Sequence, residues 1–437
     1  MMINYLLAEQ IVNGIAYGLF ILMVVMSFYY IASFFISGKK VKPVPHSNKK
    51  TKFAVIVPAR NESKVIMNTF SSFITQTYDR KYYDVWVIVE SEKDPTCKLT
   101  KKFGYQIFVR KDLHNKHTKG YAIQELYNYF REIDLKYDAY MIIDAGDILS
   151  APYIETMNDL RQSGVQVGLG YRNYTNASQN WMTSTSAVFF SYMMSFTARM
   201  RTNLFQKTTL AGTGLFVDAQ IVEDAGGWIW TGMTEDTQLT AWCYYHDVKM
   251  RYYPLVEFFD EQCSTLKASH KQKIRWIWGY FESRKFLKEP RNVDYHTLSK
   301  GRRFWAHFEY RVPIFPFAIF SVVNFLLFFI SLALTIASTI ENAGYTAEFW
   351  STTVSQFAIL WGTYILIALL VIIKDNRHLK FKFPRIIVTL LTYILFFVDI
   401  IFAFLDGLFH KKKRKTWDAI DHTGEVNNPL INDGQKK

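Results

Sequence analysis

Cysteine is scarce: three residues in 437, Cys97, Cys243 and Cys263, scattered and without the spacing of metal ligands. That leaves no cysteine-based metal site and points to a reduced, cytosol-facing domain. There is no internal repeat and no low-complexity tract. Acidic residues fall short of basic ones, 38 against 51, for a net charge of +13. The basic excess carries no nucleic-acid recognition motif. It clusters beside apolar runs, at Lys39-Lys40, Lys49 to Lys52 and His410 to Lys415. That placement suits anionic lipid headgroups on a cytoplasmic membrane face.

Apolar residue is what the chain has in excess. Half of its residues are hydrophobic and 17% are aromatic, more than an ordinary soluble protein carries. Residues 11–36 are long enough to span a bilayer, and the following Ser-Gly-Lys-Lys offers no signal-peptidase site, so a retained anchor is expected. Further candidate spans are 314–338, 354–373 and 386–407. The 339–353 loop has two Glu and no Lys or Arg and should face outward; the basic 374–385 loop should face inward. A full third crossing would put Lys411–Lys415 outside, against the same rule, unless the last segment is re-entrant or interfacial.

Between the membrane segments the pattern is α/β. Apolar runs at 53–58, 85–89, 105–109 and 140–143 read as buried strands, with helices to about Thr77 and over 121–133. Strand, loop and helix alternate as in βαβ units, so a mainly parallel sheet is expected. Acidic groups follow the strand ends, where open α/β sheets bind ligands. Two readings fit residues 179–205: an amphipathic helix at a membrane surface, or an ordinary core helix. The expected organisation is a transmembrane helix at 1–38, a basic linker at 39–52, a catalytic domain at 53–290, interfacial and transmembrane helices at 291–410, and a polar tail at 411–437.

Two short signals stand out. Thr234-Glu235-Asp236 sets two carboxylates side by side before a helix-like run, a pattern that also suits a helix N-cap. Gln272, Arg275 and Trp276 recur at i, i+3 and i+4, so an amide, a guanidinium and an indole share one helical face. A base, a diphosphate clamp and a flat stacking surface are what sugar transfer from a nucleotide donor requires.

In their order, from Val57-Pro58-Ala59-Arg60-Asn61-Glu62 to Gln272-x-x-Arg275-Trp276, these motifs resemble the membrane-embedded processive family 2 glycosyltransferases, the synthases of cellulose, mixed-linkage glucan, chitin, hyaluronan and poly-N-acetylglucosamine. The resemblance implies a GT-A fold, a UDP-sugar donor, Mg²⁺ or Mn²⁺, and inversion to β-linkages. Residue by residue, it implies that Glu90 contacts the nucleotide where the family carries Asp, with Asp94 a secondary candidate. Lys119-Gly120 resembles the loop near the diphosphate. Asp144 matches the first acid of the family's Asp-x-Asp, while Gly146 stands where the second is expected, so Asp144 alone, or with Asp147 reaching in from the next position, would hold a metal already chelated by the diphosphate. Gly212 and Gly214 correspond to the acceptor loop, and Asp260 to Thr265 to the turn after it, with Cys263 in the usual Pro position. Asp236 takes the role of catalytic base, positioned by Glu235. Gln272 and Arg275 hold the diphosphate, and Trp276 stacks on the acceptor sugar.

The favoured expectation is a multi-pass cell-membrane enzyme with a cytoplasmic catalytic domain. It polymerises UDP-glucose into a linear β-glucan and passes the growing polysaccharide through the bilayer, with accessory subunits as further partners and no role for nucleic acid. The alternatives are a poly-N-acetylglucosamine or hyaluronan synthase, single transfer to a lipid carrier, and a non-catalytic scaffold.

Overall fold

The computed structural model describes residues 5–113, 117–287, 299–311, 315–340 and 346–410. The polar tail with Lys411–Lys415, and Lys116 of the loop before residue 119, lie outside the described residues.

The chain opens with helix α1 (Tyr5–Ser37) and then alternates: β1 (Phe53–Pro58), α2 (Ile66–Ile74), β2 (Tyr83–Val89), α3 (Thr96–Lys102), β3 (Gln106–Val109), α4 (Lys119–Glu132), β4 (Ala139–Ile142), β5 (Ile148–Leu149), α5 (Tyr153–Gln162) and β6 (Val167–Tyr174). A helical stretch follows, α6 (Trp181–Ser191), a π-helical segment Tyr192–Ala198 and α7 (Arg199–Phe205). Then come β7 (Leu215–Asp218), α8 (Ala219–Asp224), α9 (Glu235–Tyr245), β8 (Met250–Asp260) and α10 (Leu266–Ser283). Helices α11 (Lys300–Arg311), α12 (Phe315–Ile340), α13 (Thr346–Leu379) and α14 (Phe383–Phe409) complete the described chain.

The eight strands form one sheet in the order β3-β2-β1-β4-β7-β6-β8-β5. Period-two alternation decides which layer each side chain joins. On β1, Ala54 and Ile56 pack under α4 with Ile123, Leu126 and Phe130, while Phe53, Val55 and Val57 pack on the other face with Phe70, Phe73 and Met157. The four strands expected from the sequence are present, and β1 to β4 pair in parallel. The sheet as a whole is mixed but, as expected, mainly parallel: four of its seven pairings are parallel, β6 with β8 among them, and three are antiparallel. β7 runs antiparallel to both β4 and β6, and β5 antiparallel to β8. Between β6 and β7, Met194 and Ala198 pack in the core beside Leu169 and Tyr171 of β6, while α6 packs on other helices, and β7 returns antiparallel to β6.

In the 179–205 segment, α6 packs on other helices. Ala187, Val188 and Phe190 of α6 are buried with Tyr364 and Ala368 of α13 and Tyr393 and Phe397 of α14. Helix forms over all four apolar segments expected to span. By length and composition one helix among the described residues, Phe383–Phe409, could cross a membrane. That helix is not uniformly apolar. Asp399 accepts from Lys273 of α10 at 2.7 Å, and His270 of α10 bridges Asp399 at 2.6 Å and Asp406 at 3.3 Å. Both carboxylates of α14 are therefore turned onto α10, the helix that carries Gln272, Arg275 and Trp276. Two charges this deeply buried hold only as a pair, so the cluster locks α14 to the catalytic domain.

Candidate active site

A cavity of about 650 Å³ opens at the carboxyl ends of β1, β2 and β4 and runs on between α6, α10 and α14. Glu90, Lys119, Asp144, Gly212, Glu235, Asp236, Gln272, Arg275 and Trp276 all line it, so the structure brings together most of the residues singled out above. Gly214 and Asp147 lie behind its wall, and Asp94 does not reach it.

At one end, Glu90 closes β2 and pairs with Arg60 Nε at 3.0 Å, with Arg110 Nη1 3.9 Å from its other oxygen. Arg110 Nε also donates to Glu125 at 3.1 Å, so this arginine is held in place by α4. Asp94 is buried and spent on the backbone: it accepts from the N–H of Asn61 and of Thr96, both at 2.8 Å. It shapes the loop after β1, where Asn61 is left-handed with φ 61°. A nucleotide-binding role for Asp94 is thereby corrected.

Lys119 sits at the start of α4, whose N-cap Thr118 accepts from the Tyr121 N–H and donates to the Thr231 carbonyl at 2.6 Å. The Lys119 ammonium reaches Asp144 at 2.5 Å, the Gly212 carbonyl at 2.6 Å and Glu235 at 3.4 Å. Burial alone would lower its pKa, but the carboxylates of Asp144, Glu235 and Asp236 outweigh burial and hold the ammonium above its usual range. One cation thus ties β4, the 212–214 turn and α9 to a single point.

The Asp144–Asp147 segment divides. Asp144 faces the cavity, its N–H donating to Thr213 Oγ1 at 2.8 Å. Asp147 is 1% exposed and accepts the Thr213 hydroxyl at 2.5 Å. Burial, then the charges of Asp260 and Asp144, push the Asp147 carboxyl well above the carboxylate range. Asp144 therefore faces the cavity, while Asp147 lies behind its wall on Thr213. Among the described residues no group of three or more His, Cys, Asp or Glu forms a metal cage. One cavity-facing carboxylate does fit an ion that arrives already chelated by a diphosphate.

Gly212 and Gly214 have φ of 81° and 63°, the left-handed region. A Cβ at Gly214 would lie 2.2 Å from the Phe258 ring. That glycine therefore seats the turn on β8 and does not face a ligand directly.

Asp236 begins α9. Its Oδ1 accepts from the Thr237 N–H at 2.7 Å and its Oδ2 faces the Gly212 turn. Thr234 makes no side-chain capping bond, so the capping-box reading of this segment is not met. Burial raises both acids: Glu235 is pushed up to about 7, and Asp236 is raised despite the Thr237 N–H and hydroxyl and nearby cations. Opposite them, Gln272 Oε1 accepts from the Cys263 thiol at 3.6 Å, and Trp276 meets Phe190 edge-on at 5.4 Å. The two motifs are joined by Gly279 of α10, where a Cβ would come within 2.3 Å of Thr234 Oγ1. Arg172 on β6 also lines the cavity, donating through Nε to Asp260 at 2.9 Å and through Nη1 to the Ala211 carbonyl at 3.2 Å. Sequence reasoning passed over Arg60, Arg110, Arg172 and Gly279. Arg60 lay inside a quoted motif; the other three have no local signal, because each acts through residues distant in the chain.

The family model described as "Glycosyltransferase like family 2" matches residues 50–279. Curated relatives include a probable glycosyltransferase, YdaM, of Bacillus subtilis, 24% identical over 52% of this chain and 55% of the relative. The beta-monoglucosyldiacylglycerol synthase of Trichormus variabilis is 25% identical over 56% of this chain and 50% of its own. The poly-beta-1,6-N-acetyl-D-glucosamine synthase of Staphylococcus aureus is 24% identical over 56% of each. The matched region spans about half the length of these relatives. Among solved structures, the mannosyltransferase PcManGT of Pyrobaculum calidifontis, in complex with GDP-Man and Mn²⁺, superposes with a TM-score of 0.55. It is 13% identical and covers 91% of this chain and 99% of its own, a likeness of fold.

Proposed function

Because the chain belongs to the glycosyltransferase-like family 2, we propose that it transfers a hexosyl group from a UDP-sugar to an acceptor hydroxyl with inversion. One observation carries this reading: the buried Glu235 and the half-buried Asp236 line the same cavity as Glu90 with Arg60 at one end and Trp276 at the other. Glu90 offers acceptors to the uracil N–H or a ribose hydroxyl, with Arg60 and Arg110 holding it in place. Lys119 and Arg275 stand for the diphosphate, where cations offset the charge that develops on the leaving UDP. Asp144 would hold Mg²⁺ or Mn²⁺ at that diphosphate, and a metal so bound supplies charge neutralisation to the leaving group. Asp236 takes the proton of the acceptor hydroxyl as its oxygen bonds to the anomeric carbon. The carbon–oxygen bond to the diphosphate breaks, and UDP leaves with the electron pair. Glu235, paired to Lys119, positions the start of α9.

Polymerisation of UDP-glucose into an exported β-glucan is the finer form of this reading, supported by the ordered motifs. The poly-N-acetylglucosamine alternative draws on a similar relative. Single transfer to a lipid has its own support in the apolar wall of the cavity. A membrane-embedded, multi-pass chain with its catalytic domain in the cytosol is supported by the apolar side chains left uncovered, such as Ile11, Ile15 and Ile21 on α1, and Leu391, Leu395 and Phe402 on α14.

The test is UDP release by the purified protein in nanodiscs with Mg²⁺ or Mn²⁺ and a panel of UDP-sugars. Turnover with one donor is expected; no UDP from any donor sinks the reading. The pH profile provides a second prediction. A base that burial holds protonated must lose its proton before it can accept one. The kcat/KM therefore rises with pH along an acidic limb that lies above the ordinary carboxylate range, following the raised Glu235–Asp236 pair. An acidic limb that breaks at about pH 4, where an unperturbed carboxylate titrates, would count against Asp236 as the base.

A further inference from the structure

The catalytic cavity changes character along its length. Its inner end is ionic. Among the described residues, the wall contributed by α12, α13 and α14 consists of Val323, Ile367, Tyr393, Phe397, Ile400 and Phe404. Of these, Tyr393 alone carries a polar side-chain atom, a buried hydroxyl with no hydrogen-bond partner among the described residues. From the opposite side α6 adds Phe189 and Phe190, and α10 adds Ile277 and Phe281. The Lys273 ammonium, which also lines the cavity, is committed to Asp399 and to the face of Phe396, 3.7 Å from the ring centroid.

A saccharide drawn along this wall would surrender hydroxyl hydration on that side, with one side-chain oxygen among the described residues to replace it. Hydrocarbon gains there instead, by up to about fourfold in affinity for each methylene withdrawn from water. The outer face of α14 exposes Leu391, Leu395 and Phe402, so this helix presents hydrocarbon both to the cavity and away from the protein. The head end of the cavity sets a second condition. An acceptor beside Asp236 meets Glu235 and Asp260 as well, while Lys119 and Arg172 are already paired with Asp144 and Asp260. Those carboxylates favour a neutral hydroxyl over an anionic phosphate head.

We infer that the acceptor is a membrane lipid with a free hydroxyl head, of the diacylglycerol class, whose acyl chains lie along the apolar wall built by α12, α13 and α14. The inference rests on the transferase reading above. The hydroxyl oxygen bonds to the anomeric carbon, its proton passes to Asp236, and UDP departs, so that each turnover leaves one sugar on one lipid.

The experiment uses the full chain in nanodiscs with radiolabelled UDP-glucose and UDP-N-acetylglucosamine, with and without dioleoylglycerol. Products are partitioned between butanol and water. The expected product is butanol-soluble, carries one labelled sugar and depends on dioleoylglycerol. A parallel series of alkylglycerols is expected to show KM falling at least about tenfold from hexyl to dodecyl with kcat unchanged. Ile400→Glu should abolish that gain. Partition into the disc is common to both proteins, so the difference reads the wall itself. Should the variant fail to fold, the wild-type series and the product phase still decide. Water-soluble polymer formed irrespective of the lipid, or a KM indifferent to chain length, overturns the lipid acceptor and leaves the transferase reading standing. No UDP release from any donor overturns both.

Discussion

Asp236→Asn is expected to lower kcat by about a thousandfold, within the range for loss of a general base, while UDP affinity stays at the wild-type value. The amide is isosteric and keeps an oxygen for the Thr237 N–H, which now anchors Oδ1 at 2.7 Å. The start of α9 should therefore keep its place. Nor should the variant lose stability. Burial raises the Asp236 pKa, so at neutral pH the folded state pays for ionising it, and a neutral amide removes that cost. Steady-state transfer rates, UDP calorimetry and a thermal melt read the three quantities separately. Full activity in Asp236→Asn would remove it as the base. A lowered melting temperature would mean that the carboxylate is structural.

Gly120→Ala is the second large effect. A Cβ there would lie 2.2 Å from the Trp230 carbonyl oxygen, 2.7 Å from Thr231 Cα and 3.1 Å from Glu235 Cβ. Two of these neighbours are backbone and cannot rotate aside. The N-terminus of α4 must move away from residues 230–235, stretching the Thr118 bond to the Thr231 carbonyl and unseating Lys119 from Asp144 and Glu235. Overpacking of this kind costs about 1–3 kcal/mol. A displacement of about 1 Å among catalytic groups costs about a hundredfold in rate. We expect a lower melting temperature together with a fall in kcat/KM of at least that size. Gly301→Ala on α11, where a Cβ meets nothing within 4 Å, is the control and should be neutral in both. Wild-type behaviour of Gly120→Ala would show that the α4–α9 contact does not hold the site.

These two positions also mark what was legible in the chain. Asp236 belongs to a local motif, and Thr234-Glu235-Asp236 could be read because its residues are adjacent. Gly120 was noted for its loop, but not for the backbone of residue 230, over a hundred positions away. Arg172 and Gly279 act the same way, one through Asp260 and the other through Thr234, and neither leaves a periodic or spaced signal. The misplacements were of orientation. Asp94 and Asp147 stand in the right loops, but a carboxylate's role depends on whether it meets a cavity or a backbone N–H. Both turned inward, to Asn61 and Thr96 in one case and to Thr213 in the other.

The sequence by itself determined the parallel half of the sheet, because uninterrupted apolar runs such as Phe53–Pro58 bury on both faces only in that setting. It also determined the family, through motifs whose order survives in one dimension. The tertiary structure alone decided the antiparallel entry of β7 and the burial of Asp147 behind the cavity wall that Asp144 faces. It decided, too, the docking of α14 on α10 through Asp399 and Asp406. Each of these depends on which distant surfaces meet, and burial, charge pairing and the direction of a side chain exist only once they have met.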